Sequence, residues 1–100
     1  MDTLHLNLHK KWFDMILCGE KQEEYRDPSE YWSKRICNAV LNKVETVTFS
    51  NGYSKNRRQM VVEIVGISTI PSPGKVKWGA EGDKDYFKIM LGRILATKNV

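Results

Sequence analysis

Residues 19–26 read GEKQEEYR, and the fold turns on how this stretch is placed. Five of its eight residues are charged. Taken as an extended segment, one alternate set is Gln22, Glu24 and Arg26 and the other is Lys21, Glu23 and Tyr25, so neither face offers an apolar stripe for core packing. Burying such charges unpaired costs about 3–5 kcal/mol. The stretch is therefore either a solvated edge strand or the lining of a polar cleft, where its charges pair with one another and with a ligand. Strict alternation puts Glu24 and Arg26 on one face and Lys21 on the other. The three converge only if Lys21 lies in the turn after Gly19, or if a bulge intervenes.

Upstream, Leu4, Leu6 and Leu8 alternate with His5, Asn7 and His9, the pattern of a half-buried first strand. Trp12, Phe13, Ile16 and Leu17 recur at helical spacing, and Gly19 can take the left-handed conformation that closes a helix, so a short helix is expected from about Lys11 to Cys18. Downstream, Asp27 as cap, Pro28 at the first helical position and Glu30 three residues after the cap form a start signal. The helix it opens should run to about Leu41, with Trp32, Ile36, Ala39 and Val40 on its apolar side. Val44 to Phe49, Met60 to Ile70 and Tyr86 to Leu95 read as strands, the middle one nearly continuous in Val and Ile and expected to be the best buried. Asn51-Gly52 marks a turn, Pro71, Pro73 and Gly74 end the middle strand, and a charged, glycine-containing loop covers Lys75 to Asp85.

Five strands with two early helices and mostly antiparallel later connections predict an α+β fold, a compact closed or partly closed barrel with helices over its ends. An open α+β sandwich is the alternative. One hundred residues support one core, so residues 1–100 are expected to form a single domain. The formal charge of +4 favours a polyanionic partner, although lysines added for solubility give the same sum. Cys18 and Cys37 make neither a CxxC pair nor a disulfide framework and are expected as reduced thiols. The first ten residues lack the apolar run of a signal peptide, and no run approaches a membrane span, so a cytoplasmic protein with no membrane association is expected.

The spacing Gly19-x-Lys21-x-x-Glu24-x-Arg26 resembles the GxKxxExR signature of ASCH domains. Trp12 and Ile16-Leu17 stand where that family has its short first helix, and the ending Tyr86-Phe87 through Leu95 resembles its last barrel strand. The similarity extends over essentially the whole chain. It implies a small PUA-like mixed β-barrel of five to six strands with two short helices, RNA or a nucleotide as partner, and a cleft beside the barrel holding Lys21, Glu24 and Arg26. Lys21 and Arg26 would then contact phosphate or a base, Arg26 through its planar fork, and Glu24 would accept from a base amino group or act as general base.

Lys10 and Lys11 open the first helix, where positive charge opposes the macrodipole and no side-chain cap is evident, a placement consistent with a phosphate contact for Lys10. Within Asn51 to Arg58, NGYSKNRR, Tyr53 is suited to stack on a base while Lys55, Arg57 and Arg58 track phosphates; a solvated loop is the bland reading. Trp78 stacks at the cleft mouth or plugs the barrel. His5 and His9 share a strand face but lack a third ligand, so no metal is expected, nor any cofactor. Trp12 and Trp32 are read as core residues.

Binder and enzyme both stay open. Binding alone needs only the cleft, a stacking aromatic and the barrel. Relatives that hydrolyse a modified nucleoside by amidohydrolase chemistry carry threonine where this chain has Glu24, which counts against acyl transfer. A metal-independent ribonuclease would use Glu24 as base with Lys21 or Arg26 stabilising the phosphorane, but no histidine obviously completes an acid–base pair. A third reading is a phage or host protein-interaction module. A monomer is favoured.

Overall fold

The structure, a computed structural model, describes residues 3–26, 29–70 and 86–100. In chain order the elements are β1 (Leu4–Asn7), α1 (Lys10–Leu17), β2 (Glu23–Arg26), α2 (Glu30–Leu41), β3 (Thr46–Asn51), β4 (Arg58–Ile70) and β5 (Tyr86–Lys98). They form a small α+β fold in which two helices accompany one five-stranded sheet, curled into a half-barrel, of order β1-β3-β4-β5-β2. β1 runs parallel to β3, and every other pair is antiparallel.

The curl has a cause in the long β4–β5 pair. Thirteen residues laid flat would span about 40 Å, beyond the 36 Å longest dimension of the molecule. The register shifts at Val61/Val62, Val62/Ile64 and Ile64/Gly66, and such bulges bend and twist a ladder. Coiling brings the outer strands, β1 and β2, round toward each other while leaving them unpaired with one another.

The concave face holds the core. Leu4, Leu6 and Leu8 from the β1 segment meet Val47 and Phe49 of β3, Met60 and Val62 of β4, Ile89 of β5, Phe13 and Ile16 of α1 and Ala39 of α2. Alternation in β1 is thus real: His5, between two buried leucines, is exposed. β3, with Val47, Thr48 and Phe49 all buried, is better covered than β4, contrary to the expectation for the Val/Ile-rich strand. In β4 the alternation and bulges turn residues such as Val65 outward to solvent.

Helix ends differ slightly from the expected ones. Ser29 caps α2, its hydroxyl accepting from the Trp32 N–H at 3.3 Å, in place of the expected Asp27; Asp27 and Pro28 lie outside the described residues. Ile36 and Ala39 are buried, but Val40, about 100° round the axis from Ala39, is exposed, so it does not belong to the apolar side. Gly19 does close α1, with φ +86° and its N–H donating to Ile16 O at 3.1 Å. The chain then doubles back, and the Lys21 N–H donates to Met15 O at 2.9 Å. β2 starts only at Glu23 and lies on β5, where Glu23 pairs with Lys88 at 2.6 Å and Tyr25 meets Tyr86 edge to face.

Candidate functional site

A half-barrel with two unpaired outer strands has a seam, and the seam is where the charged motif lies. Arg26 of β2 reaches across it, Nη2 donating to the Asn7 carbonyl of β1 at 2.9 Å. Around this contact opens a cleft of about 1280 Å³, lined from β1, β2, the first turns of α1 and α2, and the end of β3 with the turn that follows. The turn is tied to the β1 exit. Asn7 Nδ2 donates to Gly52 O at 2.8 Å, and Asn51 Nδ2 donates to Leu8 O at 3.0 Å. Gly52, at φ +88°, supplies the backbone bend.

Lys21, Glu24 and Arg26 come together as an ion-paired group. Lys21 Nζ donates to Glu24 Oε1, and Arg26 Nη2 donates to Glu24 Oε2 at 2.7 Å. The alternation problem is resolved by the turn after Gly19: Lys21 precedes β2 and approaches Glu24 from the barrel side, with no bulge needed. Each cation also rests on an indole. Lys21 Nζ lies 5.1 Å from the Trp12 ring centre, and the Arg26 guanidinium carbon lies 4.8 Å from that of Trp32. The Lys21 side chain is 0% exposed, so of the three only Glu24 and Arg26 line the cleft; Lys21 sits behind them, against a smaller hollow floored by Ile16, Leu91 and Ile94.

This geometry constrains the chemistry. Both Glu24 oxygens accept from a cation, so the carboxylate serves to hold Lys21 and Arg26 in place. Arg26 Nε is buried and without a hydrogen-bond partner among the described residues, a sign that the guanidinium is positioned by its Nη2 contacts and by Trp32. Two positive charges around one negative leave a net charge of +1 at the cleft wall.

The other expected residues divide. Lys10 lines the cleft from the start of α1, and its ammonium pairs with Asp14 at 2.9 Å. Tyr53 and Arg57 line it from the β3–β4 turn, with Arg57 Nη1 donating to Ser54 O at 3.1 Å. Lys55 is exposed beyond the cleft lining. Arg58 turns inward: it pairs with Asp14 at 2.7 Å, donates to Asn51 Oδ1 at 3.1 Å and lies 4.6 Å over the Phe13 ring, a clip between α1 and the sheet. Trp78 lies outside the described residues. His5 and His9 both line the cleft, and among the described residues no three metal-ligating side chains gather.

Several site residues escaped the sequence reading. Trp12 and Trp32 do pack against the core, as expected, but they also line the cleft and carry Lys21 and Arg26. Tyr31 and Arg35 line it too, the Arg35 Nη1 donating to the Tyr31 hydroxyl at 3.1 Å. Their signal was the i,i+4 spacing of an aromatic and an arginine one turn after the charged motif.

Asp14 links Lys10 to Arg58, and hydrogen bonds from Lys10 first and Arg58 second hold its carboxyl below the ordinary value of 3.8. A depressed carboxylate pKa contributes stability that is present above the unfolded value and is lost as pH falls through the folded one. Acid titration of stability is therefore expected to be shallower below about pH 4 in Asp14→Asn than in the wild type. Urea midpoints measured between neutral pH and about pH 3 check this; parallel curves would show that the clip does not titrate with folding.

Among the described residues no helix is long and apolar enough to cross a membrane. Comparisons with protein-family models, with curated proteins and with solved structures return no match to this chain.

Proposed function

We propose that this chain is an ASCH-type, PUA-like RNA-binding domain, and that the cleft at the barrel seam takes RNA or a nucleotide. The observation that carries this reading is the composition of the cleft. Lys10, Arg26, Arg35 and Arg57 line it together with Trp12, Tyr31, Trp32 and Tyr53, and Glu24, already held by two cations, is the one carboxylate among its described lining residues. Cations that pair with phosphates, interleaved with rings that stack on bases, are the minimum such a ligand needs. The volume exceeds the roughly 300–1,000 Å³ usual for a small-molecule pocket, which favours a chain of nucleotides over one.

Binding is favoured over catalysis. A general base must reach the proton it takes, and the Glu24 carboxylate is buried, each oxygen already accepting from a cation. Lys21, wholly buried, does not face a phosphate in the cleft.

The test is fluorescence anisotropy with a labelled RNA at two salt concentrations, with the RNA inspected afterwards for cleavage. If Lys10, Arg35 and Arg57 each neutralise a phosphate, the logarithmic salt slope is about −2, so affinity falls roughly 20-fold between 50 and 200 mM salt. Arg57→Ala should reduce that slope by about 0.7. Intact RNA throughout supports the binding domain. Cleavage by the wild type that Glu24→Gln abolishes would establish a ribonuclease instead, and an absence of salt-sensitive binding would sink both.

A further inference from the structure

Two tyrosines stand exposed in the cleft, each with an arginine four positions on. Tyr31 and Arg35 come from the first turns of α2, and Tyr53 and Arg57 from the turn between β3 and β4. Tyr31 is 58% exposed and Tyr53 is 88% exposed. An aromatic ring left so far out of the core adds little to folding, because it removes little apolar area from water. Tyr53 in particular makes no hydrogen bond or ring contact among the described residues, yet the turn that carries it is fastened to β1 through Asn7 and Asn51.

Tyr31 is held more firmly. Its ring packs edge to face on Trp32, with centroids 4.9 Å apart, and the Arg35 guanidinium carbon lies 5.3 Å from the ring centre. Arg35 is thereby fixed beside an exposed ring, with donors to spare after its bond to the Tyr31 hydroxyl. The Tyr31 ring and the Arg35 guanidinium stand 5.3 Å apart, and Tyr53 and Arg57 line the same cleft from one turn, so each pair brings a ring and a guanidinium to one stretch of the wall. Neither pair belongs to the Lys21–Glu24–Arg26 group, in which Lys21 and Glu24 are buried.

Resting on the RNA-binding reading, we propose that the ligand is single-stranded, with bases stacked on Tyr31 and Tyr53 and phosphates paired with Arg35 and Arg57. In a duplex the bases are already stacked and paired, so neither ring finds a free π-face without unpairing. An unpaired strand offers one at every nucleotide. Stacking and phosphate pairing do not by themselves separate RNA from DNA, so the shared chemistry is that of a single-stranded polynucleotide.

The experiment compares, by fluorescence anisotropy, a labelled oligouridine of about 12 nucleotides, the DNA strand of the same sequence, and the oligouridine annealed to its complement. The single strand is expected to bind at least about tenfold more tightly than the duplex. Tyr31→Ala and Tyr53→Ala should each weaken it by about 5-fold to 100-fold with the salt slope unchanged, whereas Arg35→Ala should lower the slope by about 0.7. Tyr31→Phe keeps the ring and should keep most of the affinity, which separates stacking from the hydroxyl's bond to Arg35. All three substituted residues are exposed, and thermal melting alongside the wild type verifies the fold. Equal binding of DNA assigns the site to single strands in general, and weaker binding assigns it to RNA; both support the inference. Duplex binding as tight as single-strand binding, or unchanged affinity in both tyrosine variants, overturns it while leaving the RNA reading standing. No salt-sensitive binding of any form overturns the two together.

Discussion

Glu24→Ala is expected to destabilise the domain by about 3–5 kcal/mol, because it strands a fully buried ammonium without a counter-charge. Lys21 has no exposed side-chain surface, and among the described residues its charge is balanced by Glu24 Oε1 alone; the Trp12 ring, 5.1 Å away, adds only a cation–π contribution. The same substitution frees Arg26, which among the described residues then keeps Asn7 O and the Trp32 face. The reverse substitution should behave differently. Lys21→Met removes the buried cation, leaves Glu24 paired with Arg26 at 2.7 Å, and puts a flexible thioether against Trp12. Its cost should stay below about 1.5 kcal/mol, since Glu24 keeps Arg26 as its counter-charge and no buried ion is left unpaired. Urea denaturation of both variants decides the matter. Equal losses, or a Glu24→Ala loss under about 1 kcal/mol, would show that the three charges do not share one electrostatic balance.

Phe13→Ala should cost about 3–5 kcal/mol. α1 has eight residues, too few to hold a helix in water unaided, and its only buried side chains are Phe13 and Ile16. Phe13 is completely enclosed, with Arg58 lying over its ring, so truncation leaves a cavity and also removes the surface on which the Arg58–Asp14 clip rests. Phe13→Leu, which keeps most of the volume, should lose about 1 kcal/mol. Thermal melting distinguishes them, and on the proposed RNA-binding function the alanine variant should also lose RNA affinity, because α1 carries Lys10 and Trp12 into the cleft. A Phe13→Ala melting temperature within a few degrees of wild type would mean that α1 docks through something else.

The local reading of the sequence came close for the elements, and the reasons are visible in single residues. Leu4, Leu6 and Leu8 alternate because β1 has one covered face, and Gly19 stops α1 because its φ of +86° suits glycine. The dependence of Lys21 on the turn after Gly19 was also legible, since alternation made a condition that only a turn or bulge could meet. Pairing was not. Nothing local in Leu4–Asn7 says that it lies parallel to β3, or in Glu23–Arg26 that it lies on β5, because those partners are distant in the chain. The cap was ambiguous for a simpler reason: Asp27 and Ser29 can both accept from a helix N-terminus, and the path of the chain chooses. Trp12 and Trp32 have helical spacing whether they fill a core or wall a cleft, and they do both. In the basic cluster, composition could not separate Arg57, which lines the cleft, from Arg58, whose partner Asp14 lies far back in α1.

The sheet order also bears on how the chain finds its structure. β3, β4 and β5 form the centre of the sheet, while the first 26 residues supply both borders, with Leu4 registering against Val47 and Glu24 against Ile89. Strands that follow one another in the chain close shorter loops; bringing β2 onto β5, with Arg26 opposite Phe87, closes about two thirds of the chain as one loop and carries a larger entropic cost. A β3–β4–β5 nucleus with late docking of the N-terminal borders is the economical route. On that route the seam is the last part to assemble, so changes at Glu24 or Arg26 should act mainly by hastening unfolding, whereas changes at Phe49 or Met60 should slow folding.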